Sequence, residues 1–327
     1  MKRRVLGKTG LEVSELGLGG LYVSSFGAEY EEGRRAILRA LDLGVNYVDT
    51  APGYANSEEV IGKALEGIES PYVLSTKLGG RPRPFRPQDR DCLMRSVETS
   101  LALLGRDTID ILMIHEPDRP GQYDWWPDFE HYEDAPVIKL LQDLKAQGVV
   151  KAIGLGGTTA YEIVPIIETG LFDVLLTAFN YSVLWREAEI AVLPAARAQG
   201  MGIVIGSPLQ QGALARRYEE VETGARWLSP PRQEQFRALY GFAEELQMTL
   251  PELALRFVIS NPDITTTLTG ARSAHEVEQN VASVERGSLD QDILDRLDEI
   301  AAMVPFRPFE EPFGLPFGRQ YRGPGIA

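Results

Sequence analysis

Cysteine and histidine are scarce in this chain. Its 327 residues include one cysteine, Cys92, and three histidines. A single cysteine excludes an intramolecular disulfide, and we expect Cys92 to pack within a helix. His115, His131 and His275 lie in separate segments, without the spacing of metal ligands. We therefore expect no metal site.

Positive charge is also in short supply. The 33 Lys and Arg residues face 47 Asp and Glu residues, which gives a formal charge of −14. This excess argues against a nucleic-acid or anionic-membrane partner, because both would be repelled. No basic-then-apolar signal opens the chain, and no uninterrupted apolar run is long enough to span a bilayer. We expect a cytoplasmic protein.

What the chain does have is a repeated alternation of strand and helix. From Leu16 onward, short apolar runs alternate with helix-spaced segments, and glycines such as Gly105 and Gly148 close several of the helices. Short continuous apolar runs are typical of parallel strands that are buried on both faces. The pattern predicts eight strands, at residues 16–20, 45–48, 72–77, 109–115, 150–155, 173–179, 202–206 and 264–268.

An eightfold parallel alternation closes most naturally into a (β/α)8 TIM barrel, and an open doubly wound sheet is the alternative. Residues 5–13 predict an N-terminal hairpin with a Thr-Gly turn. Helix-spaced segments at 233–247 and 291–303 lie outside the eight units and predict two added helices. No linker-like boundary divides the chain, so we expect one domain over residues 1–327.

Polar residues appear where three successive strands end. The second strand ends at Asp49 and its loop offers Tyr54, the third ends at Lys77, and the fourth at His115. In a barrel these ends converge on the face that carries active sites. Each residue alone has an ordinary explanation, as a cap, a packed ring or a solvated charge. Their recurrence at one end of three adjacent units predicts a catalytic site.

These residues and their surroundings resemble the aldo-keto reductase family. The resemblance is carried by Leu6-Gly7-Lys8-Thr9-Gly10, Val48-Asp49-Thr50-Ala51, Ser75-Thr76-Lys77, Ser207-Pro208-Leu209 with Gln211-Gly212, and Gly270-Ala271-Arg272-Ser273 with Asn280. It implies an NAD(P)-dependent carbonyl/alcohol oxidoreductase on a (β/α)8 barrel. Asp49, Tyr54, Lys77 and His115 fall on the family's four catalytic positions.

Physical chemistry agrees with those roles. Hydride transfer to a carbonyl leaves an oxygen that must be protonated, and a neighbouring phenol can act as the general acid. A free tyrosine has a pKa of about 10. We expect the Lys77 ammonium to lower the pKa of Tyr54 and Asp49 to hold that ammonium in place. His115 is expected to hydrogen-bond the substrate oxygen and orient it.

The resemblance also implies where the cofactor binds. The family's Ser-Asn pair after the fifth strand is here Gly156-Gly157, its Gln on the sixth strand is Thr177, and its stacking aromatic is Phe179. Backbone amides near Ser207–Gly212 and the helix start after Gly270 suit a pyrophosphate. The expected cofactor contacts are Gly19, Asp49, Gly156, Thr177, Phe179, Ser207, Pro208, Leu209, Gln211, Gly212, Gly270, Arg272, Ser273, Glu276 and Asn280.

Two further features concern the cofactor. Gly17-Leu18-Gly19-Gly20 and Gly154-Leu155-Gly156-Gly157 would be Rossmann phosphate loops, but neither completes G-x-G-x-x-G. Glu276 stands four residues before Asn280, where members that prefer NADP often carry a basic residue. A carboxylate there repels a 2′-phosphate, whereas Arg272 favours one. We predict NAD over NADP.

The substrate is less constrained. The glycine pair and Thr177 are similar to the branch of sugar dehydrogenases that act on aldoses such as fucose or galactose. Loops at 79–89 and 116–136 follow the third and fourth strands, on the functional face, and we expect the second of them to contact substrate. The expected substrate contacts are Tyr22, Tyr54, His115, Trp125 and Trp126, with Phe129 as a further ring and Arg81 or Asp118 as polar partners.

Alternatives remain open at this point. The aromatic residues could instead pack within their own loop. Within enzymes, the alternative function is a broad-specificity NADPH-dependent aldehyde or ketone reductase. From another class, it is a cofactor-binding regulatory subunit without turnover. The tail at 305–327, rich in proline, glycine and phenylalanine, is expected to contact either the substrate or a second copy of the chain in a homo-oligomer.

Overall fold

A short antiparallel hairpin lies at the amino end of the fold. The computed structural model describes residues 1–119, 121–307 and 315–319. In it, β1 (Arg3–Val5) pairs with β2 (Glu12–Ser14). Leu6 and Val13 are fully buried and join the apolar cluster inside the barrel. Gly7 approaches the first residue of a barrel strand so closely that a Cβ would lie 2.1 Å from Gly202 N, so the hairpin closes this end.

Eight parallel strands form a closed barrel, which confirms the predicted TIM-barrel fold and makes the open-sheet alternative wrong. Each strand pairs with its neighbours along the chain, and the last strand pairs with the first. The strands are β3 (Leu16–Gly19), β4 (Tyr47–Asp49), β5 (Val73–Leu78), β6 (Ile109–His115), β7 (Val150–Gly157), β8 (Val174–Ala178), β9 (Gly202–Gly206) and β10 (Thr266–Gly270).

The helices surround the barrel, and those at 230–245 and 291–302 are the two added helices that the sequence predicts. They contact each other through the Gln235 side chain, which donates to Ile300 O at 2.9 Å. The helices are α1 (Tyr30–Asp42), α2 (Ser57–Ala64), α3 (Arg90–Leu104), α4 (Pro136–Ala146), α5 (Val164–Glu168), α6 (Val192–Ala198), α7 (Glu220–Thr223), α8 (Pro230–Glu245), α9 (Leu250–Ser260), α10 (Ala274–Glu285) and α11 (Gln291–Ala302).

Local signals set the ends of α3, whose bounds match the sequence pattern. The Asp89 carboxylate accepts from the backbone N–H groups of Asp91 and Cys92, which satisfies donors that the first turn leaves unpaired. At the other end Gly105 adopts φ +63°, the left-handed conformation that favours glycine. Cys92 is buried on the inner face, as expected.

Several predicted boundaries are wrong, including the start of the first added helix, which lies at Pro230 rather than residue 233. The last strand begins at Thr266 rather than residue 264, because a turn that starts at Asn261 continues through Ile264, whose N–H bonds to Asn261 O. Helix α5 begins at Val164, four residues late, with proline in its first turn. Residues 186–199 divide into a 3-10 turn and α6. Within the described ranges, no helix has the length and apolar character needed to cross a bilayer.

Candidate active site

A buried ion pair joins the ends of β4 and β5. Lys77 Nζ donates to Asp49 Oδ1 and Oδ2 at 2.9 and 2.7 Å and to Thr50 O at 2.8 Å. The Ser75 hydroxyl donates to Asp49 Oδ1 at 2.6 Å. Burial acts to lower the pKa of Lys77, but the Asp49 carboxylate opposes it and the net pKa is raised. Lys77 is therefore a fixed cation at the barrel mouth.

Tyr54 lies on the loop that follows β4, beside this cation. Lys77 Nζ is 5.1 Å from the centre of the Tyr54 ring. Burial raises the pKa of the Tyr54 phenol, Lys77 lowers it, and Asp49 and Glu116 add to the rise. Lys77 acts to lower the pKa of Tyr54, as the sequence predicts. The predicted net lowering of that pKa is wrong, because burial of the phenol raises it by more. Tyr54 is thus protonated at neutral pH.

His115 ends β6 and faces the phenol. The Tyr54 and His115 ring centroids are 5.8 Å apart, with an interplanar angle of 83°. Burial, together with the neighbouring Lys77 charge, lowers the pKa of His115 to about 3. The imidazole is therefore neutral near pH 7, able to form hydrogen bonds without adding a charge to the site.

The loops that leave the strands on this face carry unusual backbone conformations. Non-glycine residues with positive φ follow β6, β8 and β9, namely Glu116 at +52°, Phe179 at +70° and Ser207 at +55°. Gln210 and Gln211 add values of +49° and +55° in the loop after β9. Such conformations are costly, and they cluster at functional sites. The strain is concentrated where the predicted catalytic and cofactor residues lie.

The structure brings the predicted cofactor residues to the ends of β7–β10, beside the predicted catalytic residues. Gly156 pairs with His115, and a Cβ on it would meet Lys77 Cε at an ordinary 3.4 Å. Thr177 is fully buried, and its Oγ1 has no hydrogen-bond partner among the described residues. Gly19 of β3 pairs with both Gly270 and Asp49. The loop after β9 carries Ser207, Pro208, Leu209, Gln211 and Gly212.

The start of α10 holds the remaining cofactor candidates. The Ser273 hydroxyl accepts from Glu276 N at 3.3 Å, and Glu276 Oε2 accepts from Arg272 N at 2.8 Å. These bonds form a variant of the capping box. Asn280 lies one turn further on and is buried. Glu276 therefore has a structural role in addition to the cofactor contact predicted for it.

Tyr22 lies on this side of the barrel mouth. A Cβ on Gly270 would be 2.4 Å from the Tyr22 ring, so the ring packs directly on that glycine. The Arg272 guanidinium lies 5.2 Å from the Tyr22 ring centre. Tyr22 thus joins the end of β3 to the predicted pyrophosphate region, and its predicted contact with substrate stays a prediction.

The loop after β6 is held by its two tryptophans. Both are buried, and their indole N–H groups donate to His115 O at 3.1 Å from Trp125 and to Pro117 O at 2.7 Å from Trp126. Packing is therefore one role of these rings, whereas Phe129 is exposed. The substrate contact predicted for Trp125 and Trp126 stays a prediction.

Arg81 and Asp118, predicted as polar partners of the substrate, are bound to protein groups. Arg81 donates to the buried Glu58 and to Ser100. Asp118 is 2% exposed, and its Oδ2 accepts from Thr158 N and from the N–H and hydroxyl of Thr159. This geometry favours a structural role for both side chains over the substrate contact.

Three residues of the site were missed in the sequence. Ser75 precedes Lys77 by two positions, so strand alternation places both side chains on one face. Glu116 follows His115 directly, and burial raises its pKa although Arg119 Nε lies 3.2 Å away. Tyr123 lies against the loop after β5, where Cβ atoms on Gly79 and Gly80 would be 3.2 Å from it. The first two had a sequence signal in their spacing, whereas Tyr123 depends on how two loops pack.

Parts of the C-terminal tail also reach the site. Arg307 donates to Phe179 O and Arg319 to Gln211 O, each at 3.3 Å. Leu315 and Phe317 are buried. The tail predicted to contact substrate or a second copy otherwise lies outside the described residues, at 308–314 and 320–327. Among the residues that are described, no cluster of three or more His, Cys, Asp or Glu could hold a metal ion.

Comparisons with known proteins show which family the chain belongs to. The Aldo/keto reductase family profile matches residues 15–302. The chain is 29% identical to L-galactose dehydrogenase of Arabidopsis thaliana, over 95% of this chain and 97% of that protein. It is 30% identical to the NADH-specific methylglyoxal reductase of Escherichia coli, over 89% of this chain and 96% of that protein.

Among solved structures, an aldo-keto reductase from Bacillus halodurans in its holo form superposes with a TM-score of 0.76. The two chains are 26% identical, and the match covers 94% of this chain and 98% of that one. The chain therefore belongs to the aldo/keto reductase family and is an NAD(P)-dependent oxidoreductase.

Proposed function

We propose that this protein oxidises a neutral aldose with NAD and that Tyr54 exchanges the proton. The observation that carries the proposal is the meeting of Tyr54, His115 and the Lys77–Asp49 ion pair at the barrel mouth. The phenol faces the imidazole at a ring separation of 5.8 Å and lies beside the ammonium. These groups supply a proton donor, a neutral hydrogen-bonding group and a fixed positive charge.

Each side chain has a role in the proton transfer. During oxidation, the hydroxyl proton of the sugar passes to the Tyr54 phenolate while the carbinol carbon loses a hydride. During reduction, the phenol returns that proton to the oxygen. Lys77, held by Asp49, stabilises the phenolate, and neutral His115 orients the substrate oxygen. The nicotinamide cofactor, when bound, accepts or supplies the hydride.

The residues at the ends of β7–β10 suit such a cofactor. The buried Thr177 hydroxyl without a partner among the described residues suits a hydrogen bond to the carboxamide. The positive-φ backbone at Ser207–Gln211 and the start of α10 suit a pyrophosphate. The Glu276 carboxylate supports NAD, because it would repel a 2′-phosphate and accept a bond from a free ribose hydroxyl.

The acidic edge of the site supports a neutral sugar. Glu116 follows His115, and its largely buried carboxylate, which forms an ion pair with Arg119, suits hydrogen bonds from the hydroxyl groups of a sugar. Gly156 leaves room beside Lys77, and the relative named L-galactose dehydrogenase acts on a neutral sugar. The second candidate is NADPH-dependent reduction of small aldehydes or ketones. The relative named NADH-specific methylglyoxal reductase supports the substrate class of this candidate but not its cofactor. A cofactor-binding subunit without turnover is disfavoured by the complete set of four side chains.

The test is a set of initial rates for a panel of aldoses, with NAD and with NADP, at neutral and alkaline pH. We expect rapid oxidation of one neutral aldose with NAD, little oxidation of the corresponding uronic acid, and loss of the activity in Tyr54→Phe. Reduction of simple aldehydes with NADPH, without oxidation of any sugar, would establish the second candidate. Cofactor binding without turnover of any carbonyl or alcohol would overturn both.

A further inference from the structure

A cavity lies beside the active site, next to the loop after β6. It measures about 360 Å³, within the range of pockets that hold small molecules. Its walls come from the loop after β6 and from the segment that leads into α5, where Glu162 and Ile166 lie. Its lining includes none of Asp49, Tyr54, Lys77 and His115. The cavity is therefore lined by residues other than the four that carry the proposed chemistry, although it includes Trp125 and Trp126, which the sequence predicts as substrate contacts.

Aromatic rings form most of its walls. Trp126 and Tyr132 meet edge to face, with centroids 5.0 Å apart and an interplanar angle of 89°. Tyr123 and Trp125 are 5.5 Å apart at 62°. Because both indole N–H groups are already bonded to backbone carbonyls, the tryptophans offer the cavity ring carbon rather than a donor. Phe129 adds a fifth ring at the entrance and is 62% exposed.

Among the described residues that line the cavity, the charged ones are all acidic. Asp118, Asp124 and Glu162 line it, and the ten lining residues include no lysine or arginine. Asp118 is almost fully buried; its Oδ2 accepts three hydrogen bonds, but its Oδ1 has no partner among the described residues. A buried carboxylate oxygen without a donor is unfavourable, and a positive charge in the cavity would offset its charge electrostatically, although the oxygen itself is buried.

Aromatic faces and carboxylates together recognise one class of ligand. Ring faces carry partial negative charge and attract cations, and quaternary ammonium groups are bound in this way by aromatic cages. Anions would be repelled by the three carboxylates. We propose that this cavity binds an organic cation of the alkylammonium class, at a site distinct from the one where the substrate reacts.

The direct test compares two ligands of one shape in titration calorimetry of the full chain. Choline carries a quaternary ammonium group, and 3,3-dimethylbutan-1-ol is its neutral isostere. We expect saturable binding of choline and binding of the alcohol that is about tenfold or more weaker, because only the cation gains from ring faces and carboxylates. Equal binding of both ligands, or no saturable binding of choline, would overturn the proposal.

Two surface variants locate the site without disturbing buried groups. Phe129→Ala removes the exposed ring, and Phe26→Ala is its matched control because Phe26 is also 62% exposed and does not line the cavity. Glu162→Gln removes one carboxylate, and Glu168→Gln is the control near the other end of the same segment. We expect weaker choline binding in Phe129→Ala and Glu162→Gln alone.

Competition decides whether the cavity is separate from the substrate site. We expect choline to bind equally well with and without a saturating aldose, and to bind Tyr54→Phe as it binds the unaltered chain. Displacement of choline by the aldose would make the cavity part of the substrate site and would overturn the inference. The titrations of choline, its neutral isostere and the variants need neither an aldose nor turnover, so failure of the proposed sugar oxidation would leave them readable, and only the competition requires an aldose that binds.

Discussion

Lys77 Nζ lies 2.9 and 2.7 Å from the two oxygens of Asp49, and the two side chains are only 1% and 3% exposed. Removing one partner of such a pair leaves a buried charge without compensation, which is typically more damaging than losing the attraction itself. The pair is therefore both a structural element of the barrel mouth and the source of the positive charge beside Tyr54.

Asp49→Asn should lower the pKa of Lys77, because burial would then act on the ammonium without the opposing carboxylate. We expect the free energy of unfolding to fall by about 3–5 kcal/mol, as measured by urea denaturation. Glu59→Gln, which breaks the exposed Lys63–Glu59 pair, is the control and should change stability little. Similar losses in both variants would contradict the assigned role of burial.

Tyr54→Phe removes the proton donor while keeping the ring. We expect turnover to fall by about 10²–10⁴-fold, the contribution typical of general acid catalysis, while cofactor binding measured by fluorescence titration is unchanged. Tyr161→Phe is the control, since that tyrosine is 51% exposed and has no role assigned in the site. Near-normal turnover in Tyr54→Phe would remove Tyr54 from the mechanism.

Glu116→Gln should shift the pH dependence of alcohol oxidation. Oxidation needs the Tyr54 phenolate, so its rate rises as pH approaches the raised pKa of Tyr54, and the Glu116 carboxylate contributes to that rise. Loss of this negative charge lowers the pKa of Tyr54. In plots of kcat for oxidation against pH, the rising limb should therefore move to lower pH. An unmoved limb, or one moved to higher pH, would show that the carboxylate does not act on the phenol.

The same profiles test the charge of His115. With a pKa of about 3, the imidazole stays neutral from pH 5 to 8 and should add no inflection there, although an unperturbed histidine titrates near 6.5. The sequence offered no basis for this value, because burial and the distance to Lys77 are set by the fold.

Much of the architecture follows from local sequence. The apolar run at 109–115 and the helix at 90–104 have the bounds that the pattern predicts, because an Asp cap, a closing glycine and a polar residue at the strand end mark them. Where several weak signals compete, as in residues 160–168 and 186–199, proline and tertiary packing decide the boundaries. Strand ends predicted the positions of Asp49, Lys77 and His115 for the same local reason.

Packing between loops could not be predicted in this way. The sequence predicts that Trp125 and Trp126 contact the substrate, yet their indole N–H groups donate to His115 O and Pro117 O. Arg81 lies in a loop on the functional face and is predicted as a polar partner of the substrate, but its side chain pairs with the buried Glu58. The net rise in the pKa of Tyr54 could not be predicted for the same reason. Spacing in the sequence indicates a neighbouring charge, but it does not show how deeply the phenol is buried.

Two glycines of β7 should respond differently to the same change. A Cβ on Gly154 would lie 2.8 Å from Val174 O and 3.1 Å from Met113 Cγ, whereas one on Gly156 would meet Lys77 Cε at 3.4 Å. Gly154→Ala should therefore cost about 1–3 kcal/mol of stability through overpacking, and Gly156→Ala should be nearly neutral. Thermal unfolding of the two variants measures this difference, and equal losses would contradict it.

Glu276→Gln tests cofactor choice with little change in structure. Glu276 Oε2 accepts from Arg272 N at 2.8 Å within a capping box, and glutamine can keep that bond because its side-chain oxygen also accepts. The substitution removes only the negative charge that we propose repels a 2′-phosphate. We expect the ratio of kcat/KM for NAD to that for NADP to fall, with unchanged thermal unfolding.

Ser273→Ala, which removes the cap but keeps the carboxylate, should instead lower stability and leave the preference for NAD in place. If the unaltered chain already prefers NADP, or if Glu276→Gln leaves the ratio unchanged, the carboxylate does not select the cofactor and its role is the cap alone.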